Sequence, residues 1–141
     1  MVRLQKVNLS QMIKIFDILR KAAEDLQPVR KQAKNLLIDD IWDPSKLGGA
    51  EVARTSDEAT HKLSEGGWDT VYLDNDLGPG QKEGWEILNW IMRDLPGEKW
   101  PRAFVVFSSN SQARPRMESK LHAMGYAVSG KDTHGHPLWV K

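Results

Sequence analysis

The chain has 141 residues, 40% hydrophobic and 28% charged, with a formal net charge of +1 and no cysteine. That length is enough for one domain with a real core, and the missing cysteines exclude disulfides and thiolate metal sites. A balance so near neutral makes no case for broad nucleic-acid binding. No apolar stretch is long enough to span a bilayer, and the first residues lack the apolar run of a signal peptide, so a cytoplasmic setting is expected.

Charge is uneven along the chain. Eight basic and three acidic residues fall in the first 35, so that stretch carries +5 and the rest −4 of the net +1. The same stretch holds the clearest helical pattern. Leu9, Met12, Ile13, Phe16, Leu19, Ala23 and Leu26 recur on one face, as an amphipathic helix requires. Asn8 with Gln11 forms a capping box before it, and Pro28 stops it. Ile15, Ile18 and Ala22 widen the apolar stripe, so this helix is expected either to pack on its own domain or to be shared with a protein partner or a second subunit. Residues 1–33 are therefore expected as a basic amphipathic helix and linker, and residues 34–141 as a separate α/β domain.

Within the second part, residues 34–39 read as a strand buried on both faces, as in a parallel sheet. Residues 41–50, with Pro44 and Gly48-Gly49, have no helical period and read as a loop. The next strand spans about 51–54. Thr55 looks like an N-cap with Glu58 as its capping-box partner, and Gly66-Gly67 ends that helix. A third strand is expected over 70–73, a helix over 82–95, a fourth strand over 103–107 and a helix over 112–124, followed by a strand at 126–128. Residues 131–136 read as a turn and 137–140 as a last edge strand. Strands alternating with helices predict a mostly parallel sheet with helices on its faces.

Two apolar strands end in acids: Leu36-Leu37-Ile38-Asp39-Asp40 and Val71-Tyr72-Leu73-Asp74-Asn75-Asp76. Open α/β sheets hold their ligands at the carboxyl ends of the strands, so Asp39, Asp40, Asp74 and Asp76 are expected in one crevice. Like charges held that close repel, and a hard cation such as Mg²⁺ removes the penalty while keeping room for waters and a phosphate oxygen. After the fourth strand, Ser108, Ser109, Asn110 and Ser111 offer polar groups at a helix start, with Arg114 and Arg116 close by. His134 and His136, separated by Gly135, would serve as acid or base toward a phosphate only if the tail folded over the crevice. Trp42, next to the acids, is the tryptophan placed to stack on a base.

These motifs resemble the receiver domain of bacterial response regulators over about residues 34–131. The resemblance implies that Asp39 and Asp40 hold Mg²⁺ together with Asp74, that Asp74 accepts a phosphoryl group, and that Ser108 or Ser109 supplies the hydroxyl. Ser109, Asn110, Arg116 and Lys131 are the implied phosphate contacts, with Lys131-Asp132 standing near the family's Lys-Pro. A divergent branch, the cyclic-phosphate processing receiver-like domains, is more similar still. Its marks are Ile38-Asp39-Asp40 with Pro44, the Leu73-Asp74-Asn75-Asp76-Leu77-Gly78 block, and Ser109-Asn110 followed by Arg116-Met117. That likeness implies work on RNA or nucleotide cyclic-phosphate ends, with Asp76 or His136 as further acid or base.

The expected fold is a three-layer, flavodoxin- or receiver-like parallel sheet of order 2-1-3-4-5, with an added N-terminal helix and no helix between strands 1 and 2. The expected function is Mg²⁺-dependent phosphoryl binding with a phosphodonor or nucleotide phosphate as ligand. Metal-dependent handling of cyclic-phosphate ends, and a receiver fold kept only for protein contact, are the alternatives.

Overall fold

The computed structural model describes residues 8–26 and 33–141. The chain divides into two compact units, residues 1–32 and 33–141. The basic leader before Asn8 and the expected stop at Pro28 lie outside the described residues.

The first unit contains helix α1, Leu9–Leu26. Its capping box forms as the sequence implies: Gln11 N donates to Asn8 Oδ1 at 2.8 Å, and Asn8 N donates to Gln11 Oε1 at 3.3 Å. The apolar side chains of Leu9, Ile13, Phe16, Ile18 and Leu19 are exposed.

The second unit runs β1 (Leu36–Ile38), a 3-10 turn (Pro44–Leu47), β2 (Glu51–Ala53), α2 (Ser56–Glu65), β3 (Thr70–Asp74), α3 (Gly84–Asp94), a 3-10 turn (Gly97–Lys99), β4 (Ala103–Phe107), α4 (Ala113–Ala123), β5 (Ala127–Lys131) and β6 (Pro137–Val140). One six-stranded sheet has the order β2-β1-β3-β4-β6-β5. The first four strands are parallel, which fits Leu36, Leu37 and Ile38, all fully buried. The α/β class and the receiver-like order of the parallel strands are as expected, and no α-helix joins β1 to β2.

The order corrects one expectation. β6 is not an edge strand: it lies between β4 and β5 and is antiparallel to both. The reason lies in the two sequences. Ala127–Lys131 is exposed at every residue and bulged between Val128 and Lys131, features that suit an edge. Pro137–Val140 is half-buried throughout, and Trp139 packs on the main core. The more apolar strand takes the inner place.

Alternation along the strands splits the core. Leu36, Ile38, Val71, Leu73, Phe104 and Val106 face one side and join Ala59 and Leu63 of α2, Ile87, Leu88 and Ile91 of α3, and Met117 and Leu121 of α4. On the other side Leu37 packs with Leu47 and Ala50, flanked by Trp42, Tyr72 and Phe107. Within this unit that second face is covered by the loop after β1, with its 3-10 turn, where a three-layer sandwich would have a helix.

The α2 cap also departs from the expected box. Glu58 N donates to Thr55 Oγ1 at 3.2 Å, but the Glu58 carboxylate takes the N–H of Arg54 at 2.7 Å instead of that of Thr55. Within this unit a reciprocal capping box forms at α3, between Glu83 and Glu86.

Burial separates residues of the same type. Ile91→Ala, in the fully buried cluster, is expected to lower stability by about 2–5 kcal/mol. Ile15→Ala, exposed on α1, should stay within about 0.5 kcal/mol. Urea denaturation of the two variants checks both.

Candidate metal and phosphate site

The parallel register places the acids. Ile38 pairs with Leu73 and Asp74 with Phe107, so Asp39 and Asp74 are the next neighbours across β1 and β3. Asp39 N still extends the ladder, donating to Ala53 O at 3.2 Å. Residues opposite each other in a sheet share a face, so Asp39, Asp74 and Phe107 form one row at the carboxyl edge.

Asp39, Asp40 and Asp74 each bring a carboxylate oxygen within 4.8 Å of the others. Asp39 is buried, Asp74 half-buried and Asp40 exposed. Asp39 Oδ1 accepts from Ile41 N at 2.9 Å and Trp42 N at 3.4 Å, which fixes the turn that carries Asp40. Arg54 clamps the same turn from β2's end: its Nη1 donates to Asp39 O at 3.1 Å and Trp42 O at 2.7 Å. Its guanidinium therefore holds backbone carbonyls beside the acids.

The electrostatic consequence falls on Asp74. Burial, and then the neighbouring Asp39 charge, push its carboxyl up to about 7, against the opposing pull of the Asn75 and Asp76 amides. A carboxylate this destabilised, converging with two others, is the donor set a hard divalent cation satisfies. The three residues therefore fit Mg²⁺.

Asp76 is not part of this group. It is exposed, and its Oδ1 accepts from Asn75 Nδ2 at 3.2 Å. Asn75 is fully buried. Its side-chain oxygen accepts from Trp85 N at 3.3 Å and its carbonyl from Gly84 N at 2.9 Å. Asn75 thereby ties the end of β3 to the start of α3. At Gly84 a Cβ would collide with the Asp74 carbonyl oxygen and the Met117 methyl, so glycine is required by close approach.

The expected phosphate contacts divide. Ser108 is half-buried and its Oγ accepts from Asn110 N at 3.0 Å, while Ser109 is exposed. Asn110 caps α4, its Oδ1 accepting from Gln112 N at 3.0 Å and Ala113 N at 3.4 Å. Arg116 lies over the Trp85 ring at 4.4 Å. Asn110 and Arg116 line one polar cleft of about 320 Å³ between the starts of α3 and α4, with Glu83, Trp85 and Gln112. Arg114 is paired with Glu118 at 3.0 Å. Lys131 is exposed at the end of β5, the edge strand, with β6 standing between it and β4.

A family model of the cyclic-phosphate processing receiver domain matches residues 34–123, more than half of the chain. The chain belongs to this family. Among curated proteins none matches it. The match covers β1 through α4 and so includes all three clustered acids, Ser108, Asn110 and Arg116. It stops short of the β5–β6 hairpin and of Lys131. The acids stand at the carboxyl ends of neighbouring parallel strands.

Reasoning from the sequence alone passed over Arg54, Asn75 and Asp132. A buried asparagine between two aspartates was the one available signal. The partners of Arg54 and Asp132 lie across loops whose course only the fold sets.

Without divalent cation, Asp74 is expected to make stability fall as pH rises. At about pH 4 and below the folded carboxyl is protonated and the group costs little. Between there and about pH 7 the unfolded chain ionises while the folded one resists, and the penalty is complete above pH 7. Asp74→Asn should therefore be more stable than the unaltered protein at pH 8, on the order of 1–2 kcal/mol after discounting for solvent screening, and equal to it at pH 4. Gly84→Ala should destabilise by about 1–3 kcal/mol at any pH. Chemical denaturation at the two pH values reads out both variants.

Proposed function

We propose that this receiver domain is a Mg²⁺-dependent phosphoryl-binding domain that takes nucleotide or RNA cyclic-phosphate ends at the pocket of Asp39, Asp40 and Asp74. One observation carries the reading: three carboxylates share a 4.8 Å cluster at the sheet edge, one of them pushed up by burial and then by the Asp39 charge. The family to which the chain belongs supports the choice of a cyclic phosphate.

Asp39, Asp40 and Asp74 would hold the cation. When bound, Mg²⁺ would offset the carboxylate charge and polarise a phosphoryl oxygen. The chain's own residues do the rest. Asp39 and Arg54 fix the turn that aims Asp40. Asn75 and Gly84 hold the end of β3 against α3 and so fix Asp74. The Ser108 hydroxyl, at the end of the strand next to that of Asp74, accepts from Asn110 N and keeps its own proton to donate to a phosphoryl oxygen. Arg116, Asn110 and the polar cleft they line suit the sugar or further phosphates of a nucleotide. No helix among the described residues is long and apolar enough to cross a membrane, and a cytoplasmic setting suits nucleotide and RNA ends.

Phosphoacceptor chemistry at Asp74 is the second reading, favoured by the position of Asp74 at the end of β3 beside the acidic pair. The place of Lys131 on the edge strand weighs against it, because that reading needs a lysine near the phosphoryl group.

Mg²⁺ titration followed by tryptophan fluorescence should saturate at millimolar concentrations or below and be lost in Asp39→Asn. Incubation with a 2′,3′-cyclic nucleotide and Mg²⁺ should give binding or opening of the ring, detected by phosphorus NMR and absent in Asp74→Asn. A phosphoryl adduct on Asp74 after treatment with a small phosphodonor, seen as added mass, would instead establish the second reading.

A further inference from the structure

Hairpin β5–β6 follows the stretch that the family model matches, and its tip stands beside Phe107 and Trp42 near the acidic edge of the sheet. Phe104 pairs with Trp139, and the antiparallel register continued along both strands brings His136 opposite Phe107. The rings agree, with centroids 6.3 Å apart. The row at the carboxyl edge runs Asp39, Asp74 and Phe107 across β1, β3 and β4, with the His136 ring, just ahead of β6, beside Phe107. Trp42, three residues after Asp39, closes the group: its ring lies 5.5 Å from Phe107 and 5.9 Å from His134. The two histidines are thus held by residues that immediately flank the acids on either side.

The tip is ordered from within by Asp132, whose side chain is 6% exposed. Its Oδ1 accepts from His134 N at 3.0 Å and His136 N at 2.7 Å, and Asp132 N donates to His136 O at 2.8 Å. Gly135, with φ +82°, permits the reversal. The Asp132 carboxylate lies 3.9 and 3.6 Å from Nδ1 of His134 and His136. Nε2 of each ring is left as the nitrogen for a ligand. Both imidazoles remain about one-third exposed.

We propose that His134 and His136 are the phosphate-contacting donors of this domain, facing the carboxylates across the bound phosphoryl group and standing in for the lysine that Lys131 does not supply. The inference rests on the phosphoryl-binding reading above and names the residues that complete it. Three observations support it. First, β6 separates Lys131 from β4, while the tip of the same hairpin sets the histidines beside Trp42 and Phe107. Second, Arg114, just beyond the β4 end, is engaged elsewhere, with Glu118. Third, His136 stands two strand spacings from Asp74, roughly 10 Å between backbones, a gap that a phosphoryl group and its cation can bridge. Phe107, turned against Trp42, forms the floor between them.

The test uses the full chain, with its histidine side-chain NMR signals followed during addition of Mg²⁺, then inorganic phosphate, then a 2′,3′-cyclic nucleotide. The signals of His134 and His136 should move on addition of phosphate or the cyclic nucleotide in the presence of Mg²⁺ and stay in place with magnesium chloride alone. The double variant H134Q/H136Q should keep Mg²⁺ affinity within about twofold and bind the cyclic nucleotide roughly tenfold more weakly, as expected for loss of charge-assisted hydrogen bonds. Ligand binding that leaves both imidazole signals unmoved overturns the proposal, and so does unchanged affinity in the double variant. The unaltered protein's spectra decide the matter even if that variant fails to fold. Should the unaltered protein bind Mg²⁺ but neither phosphate probe, the phosphoryl-binding reading itself falls and the histidine assignment with it.

Discussion

Three carboxylates at one edge of a parallel sheet are an unfavourable arrangement, and much of the local structure around them makes it possible. Asp39 and Asp74 are neighbours because β1 and β3 are neighbours in register. The strands cannot slip to relieve the repulsion, since a shift of one residue would turn Leu36, Ile38, Val71 and Leu73 out of the core. Burial of the apolar runs is thus what forces the acids together. Burial, and then the Asp39 charge, raise the carboxyl of Asp74, so a cation or proton in the pocket relieves the cost of the charged form.

Around that constraint, backbone groups are positioned by side chains remote in sequence. Arg54 takes two carbonyls of the turn after β1. Asn75 joins β3 to α3, and Gly84 permits the helix to start against the Asp74 carbonyl. These residues need not touch a ligand to matter, because each limits how far an acid can move when charge is added or removed.

The β5–β6 hairpin changes the other wall of the site. In a sheet of order 2-1-3-4-5 the fifth strand would lie against β4 and bring its final lysine to the crevice. Here β6 occupies that place, and Lys131 is carried one strand outward. The same antiparallel turn gives Asp132, His134 and His136 a fixed position near Phe107 and Trp42. The strand that takes the flank of β4 thus carries Lys131 outward and brings His134 beside Trp42 and His136 beside Phe107.

Local sequence was sufficient for much of this protein. The heptad-like apolar spacing of Leu9–Leu26 with its Asn8–Gln11 box, the apolar runs of β1, β3 and β4, and the glycine and proline punctuation between them are short-range signals, and the elements form where those signals lie. The convergence of Asp39, Asp40 and Asp74 was also legible, since an apolar strand ending in acids fixes which sheet edge they occupy. Separations beyond the local repeat were not. Asp76, two residues from Asp74, points its carboxylate to Asn75 rather than into the cluster, and the Asn110 side-chain oxygen is turned to the start of α4. Whether the apolar strand at the end of the chain sits inside or at the edge of the sheet depends on competition between β5 and β6 for the flank of β4. That competition is decided by burial of Trp139 and its neighbours against the assembled core, a long-range term absent from any single stretch of sequence.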